Sequence, residues 1–287
     1  MKQSTSHFHE IRGLRHHVRT WGSPDAPKLI LLHGWMDVSA SFQFVVDGLK
    51  REWHVIAPDF RGFGLSEWTR EGYWFPDYYA DLERILDIHH PEGPARIVGH
   101  SMGGVVSGMF GGIRPERVAR LAVLEGLGLG RRPATDAPAR YAQWLDDLRD
   151  TPRFRPYASF DEVAARLRRD NPRLSADKAA FLARHWAKQL ESGEVVLVSD
   201  PRHKLANPVL FRIDEAVACW QRVTAPVLLV FGKDSNISRR IKDTPEQFAE
   251  RIGSFRNRRE VVMEDCGHMM HHDQPERLAA VIEEFLA

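Results

Sequence analysis

Six short apolar runs punctuate the chain, and each closes on glycine, aspartate or histidine. They are KLILLHG (28–34), WHVIAPD (53–59), ARIVGHS (95–101), ARLAVLEG (119–126), APVLLVFG (225–232) and REVVMED (259–265). Rich in Val, Ile and Leu and apolar at successive positions, they read as strands buried on both faces, as in a parallel sheet covered by helices. Between them, SASFQFVVDGLK (39–50), DYYADLERILDIHH (77–90) and TPEQFAERI (244–252) carry helical spacing. The closing QPERLAAVIEEFLA puts Leu278, Val281, Ile282 and Phe285 on one face and most of its charges off it. HFHEIRG and HHVRTWG, ahead of the first run, predict an antiparallel hairpin. The alternation as a whole predicts an α/β fold: a mostly parallel sheet flanked by helices.

The alternation breaks between Leu127 and Arg222. RYAQWLDDLRD, SFDEVAARLRRD and ADKAAFLARHWAKQL are helical segments with arginine-rich outer faces, punctuated by Pro152, Pro156, Pro172, Pro201 and Pro208. The expected division is a core domain of residues 1–126 and 223–287 with an inserted helical cap of residues 127–222. The arginines of RLRRD and RRP read as a solvated helix face, an acidic substrate or partner being the lesser alternative.

Composition narrows the function classes. Lysine and arginine number 40 against 39 aspartate and glutamate, so a net charge of +1 gives no general reason to expect nucleic acid or an anionic membrane as partner. Two cysteines, Cys219 and Cys266, are too few for a disulfide framework or a thiolate metal cage and suit a reducing compartment. No stretch has signal-peptide character or the ~18 apolar residues of a membrane span. A soluble, cytoplasmic protein is expected.

The chemistry concentrates where the run ending at Val98 meets MGGVVSGMFGG. There Gly99 to Gly103, G-H-S-M-G, match the nucleophile elbow G-x-S-x-G, in which a serine sits on a sharp turn between strand and helix. Glycine is needed at both ends because strand and helix backbones approach too closely for a Cβ. The turn projects the Ser101 hydroxyl and sets the Met102 amide at the positive end of a helix. A hydroxyl needs a base to act as nucleophile, and His268, in EDCGHMMHHDQPE after the last strand, is the candidate. HGW (33–35) follows the first parallel strand, where the Trp35 amide is placed to join that of Met102 in an oxyanion hole.

HGWMD, APDFRGFGLS, VGHSMGG, RPERVARLAVLEG and CGHMMHHDQPERLAAVI resemble the α/β-hydrolase superfamily over nearly all residues outside the insert. HGWMDVSASF, GHSMGGVVSGMF and the insert's DPRHK resemble, more narrowly, its serine hydrolase-like branch. The resemblance implies serine-dependent hydrolysis of a carboxylic ester or related acyl compound, a helical cap over the pocket, a small-molecule acyl substrate and no cofactor. It also implies the order Ser101, acid, His268. Many members carry an aspartate three residues after the glycine that ends the strand APVLLVFG; here that position is Ser235, and Asp234 falls one residue early. Others, certain haloalkane dehalogenases among them, carry the acid where Glu125 stands. Glu125 is the favoured acid and Asp234 the alternative, since a carboxylate ending an apolar strand is costly to bury without a partner such as His268.

Other conspicuous residues have plainer expectations. His268, His271, His272 and Asp273 lack an HExxH pattern, so a helix start before Pro275 is expected there and no metal. His16, His17, His89 and His90 read as solvated strand-edge and helix-end residues, and His33 and His100 as supports of the oxyanion loop and elbow. Asp59 and Arg61 read as a structural pair. Trp35, Trp68, Trp74, Phe75, Trp144 and Trp186 are candidates for an apolar acyl pocket, with core packing expected for all but Trp35. The same triad would serve carbon-carbon, lactone or amide hydrolysis, and a ligand-binding protein with little turnover is the reading from another class.

Overall fold

The computed structural model describes residues 1–287, the side chain of Ser238 excepted. The chain opens with the hairpin β1 (Ser4–Ile11) and β2 (Leu14–Trp21), turned by Arg12 and Gly13, both at positive φ (51° and 76°). A two-residue turn of that hand matches the natural twist of antiparallel strands. Then follow β3 (Lys28–Leu32), α1 (Gln43–Gly48), β4 (His54–Pro58), α2 (Phe75–His89), β5 (Ala95–His100), α3 (Met102–Ile113) and β6 (Val118–Leu124). The segment after β6 holds α4 (Ala137–Arg149), α5 (Phe160–Asp170), α6 (Ala176–Trp186), β7 (Ala187–Gln189), β8 (Val195–Leu197) and α7 (Ile213–Trp220). The chain closes through β9 (Val227–Gly232), α8 (Ile237–Ile241), α9 (Pro245–Gly253), β10 (Arg258–Met263), α10 (Met270–Asp273) and α11 (Pro275–Leu286).

Eight strands form one sheet in the order β1-β2-β4-β3-β5-β6-β9-β10. β2 runs antiparallel to both β1 and β4; the remaining pairings are parallel. Alternation along the strands divides the core into two layers. Leu29 and Leu31 of β3 pack with Val45, Val46, Leu278 and Ile282 under α1 and α11, whereas Ile30 and Leu32 pack with Leu82, Val105 and Val106 under α2 and α3. Each such fully buried aliphatic stabilises the fold by ~1.5–3 kcal/mol. The last run differs from its expected burial: β10 is an edge strand, and of its six residues only Met263 is fully buried.

Within the segment after β6, α5, α6 and the small hairpin β7–β8 close a separate core around Val163, Leu167, Leu182, Ala183, Val195 and Leu197. Ser159 and Ser175 cap the two helices, each accepting a hydrogen bond from the amide three residues on. α7 packs back against α3, so closely that a Cβ on Gly112 would lie 1.9 Å from the Cys219 carbonyl oxygen. The segment is tied to the sheet through Asp200, which is fully buried, donates its amide to the Gly62 carbonyl and accepts the Tyr73 hydroxyl at 2.7 Å.

Two expectations about polar residues are corrected. His16 and His17 are buried, because β2 lies inside the sheet between β1 and β4: His17 Nδ1 meets Asp59 at 2.7 Å and His16 Nε2 meets Asp81 at 3.2 Å. Asp59 and Arg61 do not pair with each other. Asp59 takes His17 and the amides of Ser39 and Leu65, while the Arg61 guanidinium forks onto both Asp81 oxygens at 2.6 Å.

Candidate active site

The elbow follows from glycine geometry. β5 delivers Ser101 to the N-terminus of α3 with φ 51° and ψ −112°, a strained conformation for a residue with a side chain. Its amide donates to the Leu124 carbonyl of β6 at 2.8 Å, holding the turn against the sheet. A Cβ on Gly99 would lie 2.3 Å from the Gly103 carbonyl oxygen, and one on Gly103 would lie 2.2 Å from that of Leu32. Those approaches leave room for hydrogen alone.

Three side chains meet at the carboxyl ends of the strands. His268, in the loop after β10, sets Nε2 3.1 Å from Ser101 Oγ and Nδ1 2.8 Å from Glu125 Oε2. Glu125 follows β6 at φ 53° with its carboxylate buried. A buried carboxylate is tolerable when its lone pairs are filled. Besides the imidazole, Ser235 Oγ donates to Oε2 at 2.5 Å and the Gly232 amide to Oε1 at 2.9 Å. Asp234 points elsewhere: its carboxylate is 2.7 Å from Arg173 in a half-exposed ion pair. Ser235 thus serves as a support of Glu125, a role that only its spacing from Gly232 hinted at in the sequence.

Further histidines shape the surroundings. His100 Nε2 donates to the backbone carbonyl of His268 at 2.8 Å, and burial, reinforced by His271 and His268, pushes its pKa well below the usual imidazole range. It is neutral and fixes the loop that carries His268. His33 donates through Nδ1 to the Gly34 carbonyl at 2.7 Å and accepts the Phe60 amide at Nε2 at 2.9 Å, bracing the HGW turn. Burial works against ionisation of Asp37, but the hydrogen bond from His271 and the imidazoles around it hold its carboxyl below the usual range. Side-chain N and O atoms of Asp37, His100 and His271 lie within 4.8 Å of one another; Nε2 of His271 bonds Asp37 and Nε2 of His100 the His268 carbonyl, while Nδ1 of each ring is buried without a partner among the described residues.

The HGW turn abuts the elbow: a Cβ on Gly34 would sit 3.3 Å from Ser101 Cβ. Met102 is the first residue of α3, whose leading amides have no intrahelical acceptor. Trp35, Met102, Ser101, His268 and Glu125 all border one cavity of about 370 Å³. Trp74, Phe75, Tyr78, Val105, Leu129, Leu205, Ile237 and Ile241 give it largely apolar walls, and Arg202, Asn207 and Arg240 add polar groups. Trp74 and Phe75 therefore line the cavity rather than only the core, whereas Trp68, Trp144 and Trp186 lie outside its lining.

A parallel sheet that presents a serine on a strand-to-helix elbow, facing a histidine and a buried acid from neighbouring strand ends, defines an α/β hydrolase. The family profile described as the alpha/beta hydrolase fold matches residues 27–275, and the chain belongs to that family. The serine hydrolase-like protein of Danio rerio is 30% identical over 302 residues, covering 100% of this chain and 90% of that protein. Serine hydrolase-like protein 2 of Homo sapiens is 27% identical and covers 94% and 90% of the two chains. Among solved structures, the thioesterase domain from the curacin biosynthetic pathway superposes with a TM-score of 0.86 over 98% of this chain and 99% of that one, at 24% identity, a likeness of fold. No described helix is long and apolar enough to cross a membrane.

Proposed function

We propose that the protein hydrolyses a small or medium carboxylic ester through an acyl-enzyme on Ser101. The observation that carries this reading is the unbroken chain Ser101 Oγ, His268, Glu125, opening onto an apolar cavity. Ser101 Oγ attacks the acyl carbonyl as its proton passes to His268 Nε2, and the amides of Trp35 and Met102 hold the oxyanion. The tetrahedral intermediate collapses, the C–O bond to the alcohol breaks, and the alcohol leaves with the proton from His268. A water then gives a proton to His268 and its oxygen to the acyl carbon, and the acid is released as Ser101 regains its hydrogen. Glu125 keeps the His268 proton on Nδ1 and stabilises the imidazolium. A partly open cavity of about 370 Å³ has room for a compact acyl group and favours small esters over polymers. Two free cysteines, Cys266 with its thiol pushed up to about 12 by burial, suit work in the reducing cytoplasm.

Intact-mass detection of a fluorophosphonate adduct tests the nucleophile without knowledge of the substrate. Wild-type protein should gain one adduct and Ser101→Ala none. Absence of an adduct on folded wild-type protein would overturn the reading and leave ligand binding as the function of the cavity.

A further inference from the structure

One cation on the cavity wall has no ion-pair partner among the described residues. Of the cavity's ionisable lining groups, Glu125 is committed to His268, Ser235 and the Gly232 amide. Burial pushes His203 down to about 3, and it lies stacked between Phe63 and Tyr73 as a neutral ring. Burial likewise raises Tyr73 and Tyr78, keeping both phenols uncharged. Arg202 is 3.1 Å from the buried carboxylate of Asp200, which offsets its charge. Arg240 has no such partner: among the described residues it enters no ion pair, and the nearest acid along the chain, Asp243, is buried against Arg251.

Arg240 is an exposed residue of α8 that also borders the cavity. Ile237, Arg240 and Ile241, at spacings of three and four, form the face of α8 that borders the cavity. Arg240 therefore borders the same cavity as these two apolar residues and as Leu129 and Leu205. A cation bordering a low-dielectric cavity attracts an anion more strongly than one in open water. Its planar fork matches a carboxylate in two parallel hydrogen bonds, and the Asn207 amide in the same lining supplies a further donor.

From this unpartnered cation we infer that the cavity selects acyl groups bearing a second, anionic end, a carboxylate in particular, with Arg240 as the specificity-determining residue. The substrate class is then the monoester of a short dicarboxylic acid: the ester carbonyl at Ser101, the methylenes along the apolar walls, the free carboxylate at Arg240. This deepens the ester-hydrolase proposal and rests on it.

The test compares the 4-nitrophenyl monoester of glutaric acid with 4-nitrophenyl valerate, which has a methyl group where the glutaryl ester has its carboxylate. Wild-type kcat/KM should favour the glutaryl ester by about tenfold or more, the range expected of a charge-assisted hydrogen-bonded pair. Arg240→Met keeps the aliphatic stem and should bring the ratio to about one, chiefly through KM. Raised salt should shrink the wild-type ratio. A ratio near one in the wild type, or one that survives Arg240→Met, overturns the inference while the ester-hydrolase proposal stands. Should neither ester turn over, calorimetry of free glutarate and valerate with the wild-type protein decides: tighter glutarate binding that is lost in Arg240→Met supports the inference, and equal binding of the two acids overturns it.

Discussion

At the scale of single residues, the site turns on which carboxylate reaches His268. Glu125 does so from a strained φ of 53°, its oxygens filled by His268, Ser235 and the Gly232 amide. Glu125→Gln retains the shape but not the charge and should lower kcat by roughly 10⁴, the cost of a wrong imidazole tautomer in a Ser-His-acid site. Asp234→Asn removes only a half-exposed ion pair with Arg173 and should change kcat by less than about twofold. Ser235→Ala should fall between them at about 1 kcal/mol, or roughly fivefold. Steady-state ester hydrolysis on the three variants checks the ordering; a large loss in Asp234→Asn with little in Glu125→Gln would reverse the assignment of the acid.

At the scale of elements, the β5–α3 elbow depends on backbone approach. Ala at Gly99 or Gly103 would drive a methyl group to 2.3 or 2.2 Å from a carbonyl oxygen, on segments pinned between β3 and β6. Each substitution should cost at least ~1–3 kcal/mol in urea unfolding, as overpacking does, and should abolish fluorophosphonate labelling because the serine no longer faces the base. Gly93→Ala provides the contrast: its Cβ meets nothing within 4 Å, and only its φ of 72° penalises the change, by ~1–2 kcal/mol without loss of labelling. Full stability and labelling in Gly103→Ala would contradict the elbow as described.

At the scale of the whole molecule, buried imidazoles set the response to pH. Burial lowers the pKa of His33, His100, His203 and His272 in the folded state, whereas in the unfolded chain each titrates near 6.5. Below that value the unfolded state binds more protons, so stability is full above pH 6.5 and falls as the pH drops through it. Each such group contributes a slope approaching ~1.4 kcal/mol per pH unit. Asp37 and Asp59, whose folded pKa values are depressed, add a loss only at more acidic pH, beginning near their usual value of 3.8. Urea midpoints should decline from about pH 7 to about pH 5, and His203→Phe, which retains a ring in the stack, should flatten that decline by one group's slope. A flat profile would mean that these histidines are protonated in the folded protein.

What the sequence determined by itself was whatever depends on neighbours along the chain. The strand runs, the helical faces, the hairpin and the G-H-S-M-G turn are set by periodicity and by glycine within a few residues, so the α/β architecture and the position of Ser101 are legible there. His268 is legible from its place after the last strand. Glu125 and Asp234 both remain open in the sequence, because the choice rests on how β6 and β9 lie side by side and on Ser235 closing over one carboxylate, 110 residues away in the chain. The same holds for the burial of His16 and His17, the exchange of partners that gives Asp59 to His17 and Arg61 to Asp81, and the edge position of β10. It holds for Arg240 too, one of 40 basic residues in the sequence, whose place on the border of the cavity, with Asp243 bound to Arg251, exists only in the folded chain. Local sterics and periodicity act through covalent neighbours; charge pairing and burial depend on distances that exist only once the sheet is assembled.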